Sequence, residues 1–209
     1  MTAARYPIPG ATTRVEIVVV NSRFIATIGD ARTPDEARAF IERIREEFHD
    51  AVHNVYAFRV GYGASVIEGM SDDGEPPGTA GRPALAVLRG ADLGDVVLVI
   101  TRYFGGTKLG TGGLVRAYTQ AAQEALASLP RAERVERKAG RIAVPYALYE
   151  RVRQLIEAHH GQVMDEDFAG EVTLRVVFAV DDQAGFEAAL AELSAGRIQI
   201  VWEGETVSG

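Results

Sequence analysis

The 209-residue sequence predicts an α+β protein of two domains, residues 1–133 and 138–209. Three observations lead there. Apolar residues switch repeatedly between the two-residue period of strands and the 3.6-residue period of helices. A complete β-α-β-β-α-β pattern follows the charged segment Arg131–Gly140 (RAERVERKAG), which reads as a linker. Charge also divides at that segment. Residues 1–131 carry 14 basic and 15 acidic side chains, a net of −1, whereas residues 132–209 carry 8 and 14, a net of −6.

Residues 15–20 (VEIVVV) and 23–28 (RFIATI) read as strands around an Asn21–Ser22 turn. Thr33 is the expected N-cap of the first helix, with Pro34 at N1 and Glu36 completing a capping box. Ala37, Phe40, Ile41, Ile44 and Phe48 form its apolar face. Asn54–Val60 is the next strand, with Ser65–Met70 as its partner. A helix from about Thr79 to Leu88, with Thr79 as a candidate N-cap, carries Pro83 near its first turn. The apolar run Asp95–Thr101 is a strand buried on both faces. A helix opens at Thr111 or Gly112 and ends near Leu129, before Pro130.

In the second domain Ile142, Val144 and Tyr146 alternate along a strand. Leu148, Val152, Leu155 and Ile156 mark a helix, Val163–Phe168 a short strand, and Val172–Val180 a strictly alternating one. Phe186, Ala189, Leu190 and Leu193 return to helical spacing, and Ile198, Ile200 and Trp202 close the pattern. This order is the ferredoxin-like, split βαβ arrangement.

Composition bounds the chemistry. There is no cysteine, so disulfides, thiol catalysis and cysteine zinc sites are excluded. No run approaches the roughly 18 apolar residues of a membrane span. The opening MTAARYPIPGATTR lacks a leader's apolar core, so a cytoplasmic protein without membrane contact is expected. The net charge of −7 argues against binding nucleic acid by bulk charge, but the near-neutral N-terminal part leaves room for a local basic groove. Only two residues are lysines, Lys108 and Lys138.

The richest stretch is Ser71–Arg116. Two polar, glycine-dense blocks, SDDGEPPGTAGRP (Ser71–Pro83) and TRYFGGTKLGTGGLVRAY (Thr101–Tyr118), flank an apolar segment. Gly105, Gly106, Gly110, Gly112 and Gly113 fall within nine residues, around Lys108 and between Arg102 and Arg116. Glycines after a buried strand and before a helix allow close backbone approach, and the helix N-terminus offers free N–H donors to an anion. Tyr103 and Phe104 are placed to stack on bases. Neither GxxxxGK[ST] nor GxGxxG is satisfied, and a tight structural turn explains the glycines equally well on sequence alone. Arg82 sits in a helix's first turn, where a cation opposes the dipole unless an anion offsets it.

Asp72, Asp73 and Glu75 read chiefly as a turn. The alternatives are a Mg²⁺ site shared with a phosphate and an acidic turn that pairs with Arg82, Arg102 or Arg116. No metal or other cofactor is expected beyond that Mg²⁺ alternative. His53 is a candidate general base, although a hydrogen-bonded structural histidine is the commoner case.

The two blocks, with HNVYAFRV (His53–Val60), resemble the IMPACT family in its bacterial, YigZ-type branch, and the resemblance spans the whole chain. Many members have a cysteine two residues after the histidine; this chain has Val55. The resemblance implies an N-terminal domain similar to elongation factor G domain IV and a C-terminal one similar to its domain V. It further implies a non-enzymatic, translation-associated protein whose partner is RNA or a ribosome-associated factor. Arg82, Arg102, Tyr103, Lys108, Arg116 and the five glycines are the expected contact residues. The competing expectation is a small-molecule phosphate or nucleotide enzyme.

Overall fold

A computed structural model describes residues 5–208, with side chains through Gly204, so Met1–Ala4 of the opening segment lie outside the described residues. The chain divides into two compact units, 1–133 and 134–209.

The first unit begins with strand β1 (Arg5–Pro9), then the hairpin β2 (Thr13–Val19) and β3 (Ser22–Asp30). Val19 pairs with Ser22, and Val20 and Asn21 both take positive φ, as a two-residue hairpin turn requires. Helix α1 (Pro34–Glu47) starts as its sequence dictates. The Thr33 hydroxyl accepts the Glu36 N–H at 3.1 Å. The reciprocal half of the capping box is displaced by one residue, because the Glu36 carboxylate accepts the Arg32 N–H rather than that of Thr33. Strands β4 (His53–Val60) and β5 (Ile67–Ser71), helix α2 (Gly81–Arg89), strand β6 (Val96–Tyr103) and helix α3 (Gly110–Ser128) complete the unit.

Five of its strands form a wholly antiparallel sheet, β2-β3-β6-β4-β5, with β6 at the centre. Strand alternation sends Val96, Leu98 and Ile100 into the core with α2 and α3, and Val97 and Val99 into the core with α1. That two-sided burial explains the unbroken apolar run of β6. Arg102 continues the row of Leu98 and Ile100 at its open end. In register it lies between Phe24 of β3 and His53 of β4.

The second unit contains β7 (Arg131–Val144), α4 (Tyr149–Ala158), β8 (Gln162–Phe168), β9 (Val172–Ala179), α5 (Gln183–Ser194) and β10 (Ile200–Ser208). The element order is the β-α-β-β-α-β order read from the sequence, and the strands lie side by side as β10-β7-β9-β8. Val152 and Ile156 of α4 and Phe186 and Leu190 of α5 pack on Ile142, Val144, Leu174 and Phe178.

Three sequence expectations need correction. Arg131–Gly140 is not a linker: it is the first ten residues of β7. Its backbone groups are taken up there, since Lys138, Arg137 and Glu136 pair with Thr206, Val207 and Ser208 of β10, and Arg137–Gly140 pair with Ala179–Val176 of β9. A charged composition hid a strand that keeps its polar side chains partly in water. Tyr146 does not extend the alternation of Ile142 and Val144. Pro145 ends the strand, and Tyr146 lies exposed in a short 3-10 turn. Thr79 is not the cap of α2. Its hydroxyl donates to the Pro76 carbonyl at 2.7 Å, and a residue from outside the helix does the capping, as follows.

Candidate functional site

The acidic block shapes the loop through three separate partnerships. The Asp72 carboxylate accepts N–H groups from Gly78 (2.7 Å), Ala80 (3.0 Å) and Gly81 (2.8 Å), capping α2 from a distance. Burial would raise the Asp72 carboxyl, but those three N–H groups and the Arg82 charge outweigh it and hold the group below the ordinary aspartate value. Asp73 accepts the Asn54 N–H at 2.7 Å and pairs with Arg45 at 3.0 Å. Glu75 turns inward instead.

Glu75 and Arg102 form a buried ion pair. Arg102 Nη1 stands 2.6 Å from Glu75 Oε1, with side-chain exposures of 7% and 3%. The same Oε1 accepts the Tyr118 hydroxyl at 2.8 Å. Burial, then the Glu75 charge, pushes the Tyr118 phenol far above its ordinary range, so it remains a hydrogen-bond donor. The guanidinium carbon lies 5.5 Å from the Phe24 ring and 5.7 Å from the Phe104 ring. Arg102 Nε is buried and has no hydrogen-bond partner among the described residues.

His53, opposite Arg102 across the strands, completes the group. Its Nδ1 is 2.7 Å from the Asp73 carbonyl oxygen. A carbonyl only accepts, so Nδ1 carries a proton, and in the neutral imidazole Nε2 is then an acceptor. Nε2 stands 3.9 Å from Glu75 Oε2, and Oε2 receives no hydrogen bond from the described residues.

These groups floor a cavity of about 470 Å³. Val52, Pro76, Phe104, Leu109 and Leu114 make its apolar walls, while Lys108, Gly110 and Thr111 bring the glycine loop and the start of α3 to it. Helix α3 has no side-chain cap, so its first N–H groups are unclaimed by side chains. A second cavity of about 330 Å³ shares Lys108 and Leu109 and adds Gly113 and Arg116. Lys108 and Arg116 hold no ion pair among the described residues. By contrast Arg14, Arg23, Arg45, Arg59 and Arg89 are each engaged by a carboxylate.

The structure sorts the residues singled out in sequence. Arg102, Lys108, Gly110, His53 and Glu75 meet at one cavity, with Gly113 and Arg116 beside it. Gly105 has a packing reason: a Cβ there would lie 2.1 Å from the Asn21 carbonyl. Gly106 and Gly110 take positive φ in open space, and a Cβ at Gly112 would meet only the end of the Arg116 side chain. Two residues part company from the rest. Tyr103 follows Arg102 in β6 and therefore faces the other way, its hydroxyl donating to Asp50 and its ring under Arg23. Arg82 lines a different cavity, between α2 and α3. The acidic residues point to three separate places, and no group of three metal-ligating side chains occurs among the described residues.

Sequence reasoning missed Tyr118 as part of the site. The signal was present: a tyrosine amid the small residues of a buried helical stripe needs a partner for its hydroxyl. Val52, Leu109 and Leu114 were also missed, and carry no signal apart from core residues. Among the described residues, no helix is long and apolar enough to cross a membrane.

Comparison with known proteins agrees with this division. Residues 20–126 match the Impact N-terminal domain, and residues 142–197 match a domain of unknown function, DUF1949. An IMPACT family member of Haemophilus influenzae is 35% identical, over 94% of this chain and 96% of its own length. YigZ of Escherichia coli, an IMPACT family member, is also 35% identical, over 93% and 96%. A crystal structure of a hypothetical protein superposes with a TM-score of 0.70 at 35% identity, covering 97% of this chain and all of the other. The chain belongs to the IMPACT family.

Proposed function

We propose that this protein is a non-enzymatic, translation-associated regulator that binds RNA through the glycine-loop surface of its N-terminal unit. One observation carries the reading. Lys108 and Arg116, two exposed cations without ion pairs among the described residues, flank the uncapped start of α3 on a loop whose glycines leave the backbone open. Packing demands a glycine at 105, but at 112 a side chain would find room. An open backbone, a helix N-terminus and free cations suit phosphate oxygens. Phe104, 51% exposed at the cavity mouth, adds a stacking surface. Family membership supports the translation side of the reading, as does the likeness of the two units to domains IV and V of elongation factor G that membership implies.

The test is a fluorescence titration of short single-stranded RNA at several salt concentrations. Binding should weaken steeply with salt, and Lys108→Gln with Arg116→Gln should lower affinity and flatten the salt slope by about one to two while leaving the melting temperature nearly unchanged. RNA affinity that is indifferent to both changes removes the loop from the interface. The apolar walls of the cavity favour the second reading, a nucleotide-processing enzyme; Mg²⁺-dependent turnover of a nucleoside triphosphate would promote it over the first.

A further inference from the structure

We infer that the cavity beside the glycine loop is a guanine pocket, receiving one unstacked guanine base of the bound single-stranded RNA. The inference rests on the RNA-binding reading and specifies its ligand. It begins from an unused oxygen. Glu75 is almost fully buried, and its Oε1 already accepts both Arg102 and Tyr118, yet Oε2 receives no hydrogen bond from the described residues. Glu75 lines the cavity, and its side chain is only 3% exposed, so the free acceptor is open to the cavity rather than to bulk solvent. Beside it stands His53 Nε2, made an acceptor by the Asp73 carbonyl's claim on Nδ1, at 3.9 Å.

The floor therefore presents two adjacent acceptors within apolar walls. Their complement is a planar group with two adjacent N–H donors. Among the four RNA bases only guanine has this on its Watson–Crick edge, at N1 and the exocyclic N2. Uracil offers one donor between two acceptors, adenine an amino group beside an acceptor, and cytosine an amino group followed by two acceptors. Phe104 stands at the mouth with half its surface exposed and the Arg102 guanidinium 5.7 Å from its ring, a platform for the base. Lys108 and the first N–H groups of α3 border the same cavity, in position for the nucleotide's phosphate. Arg102 balances the Glu75 charge, so the pocket requires no cationic ligand.

The experiment compares labelled nine-residue oligouridines carrying at their centre guanosine, inosine (which lacks the N2 amino group), adenosine or an abasic sugar. Each is titrated with the intact protein and with its Phe104→Ala variant, whose exposed ring is not part of the core. Guanosine should bind at least fivefold more tightly than inosine or adenosine, and about tenfold more tightly than the abasic strand. Phe104→Ala should erase the guanosine advantage without weakening the abasic complex. The inosine comparison changes only the ligand, so it stands even if a protein variant folds poorly. If all four strands bind equally, the RNA-binding surface survives and the guanine pocket is overturned. If no strand binds at low salt, both readings fall. A tighter grip on an arginine- or lysine-bearing peptide than on any strand also overturns the pocket, because the two acceptors would then serve a protein partner.

Discussion

Glu75 and Arg102 meet at 2.6 Å beneath the glycine loop, both buried, and Tyr118 closes the pair from α3. Three elements that are distant in sequence are tied there: the acidic turn, the central strand and the long helix. Removing one charge strands the other in a poorly solvated site. Arg102→Leu and Glu75→Leu should each destabilise the protein by about 3–5 kcal/mol, and the double change should cost well under the sum. Urea denaturation of the four proteins provides the cycle; additive losses would mean that the pair is not coupled.

Tyr118 makes the same site sensitive to alkali. Its folded-state ionisation is raised far above its ordinary value of 10.0, so its contribution is complete below that value and declines as pH rises beyond it. Wild-type melting temperature should fall more steeply between pH 9 and 11 than that of Tyr118→Phe, which has no proton to lose there. Parallel curves for the two proteins would remove Tyr118 from the account.

Asp72 acts at the opposite extreme. Its folded-state value is lowered, so its contribution is present above about 3.8 and is lost as pH falls through the folded value. Asp72→Asn should cost about 1 kcal/mol at neutral pH through weakened capping of α2, and should flatten the acid limb of the stability profile. Combined with Asp73→Asn the loss should grow, and it should be present in metal-free buffer. A Mg²⁺-dependent rise in wild-type melting temperature that the double variant lacks would restore the metal reading of this block.

The course of β7 bears on the second unit's independence. A fragment of residues 134–209 should melt cooperatively, whereas one of 138–209 loses Glu136 and Arg137, which pair with Ser208 and Val207, and should be less stable. Circular dichroism melts of both fragments decide it. Equal stability would show that these pairs contribute nothing, and no cooperative transition in either would show that the unit depends on the rest of the chain.

Much of this architecture was readable in sequence because the governing forces are local. Thr33 and Pro34 started α1, Pro130 followed the end of α3, and the 3.6- and 2-residue periods named nearly every helix and strand. The glycine loop was likewise found between a buried strand and a helix. Charge misled where it was local too: Arg131–Gly140 looked solvated, and it is a strand because distant segments pair with it.

The amino-acid sequence by itself determined the two-domain α+β class, the element order and the setting of the glycine-rich loop, since capping, turn chemistry and periodicity act within a few residues. Only the tertiary structure decided which side chains share a site. Glu75 finds Arg102 at a separation of 27 residues and Tyr118 at 43, while Tyr103, adjacent to Arg102 in sequence, faces away. Strand register and sheet face set those outcomes, and neither is a local property of the chain.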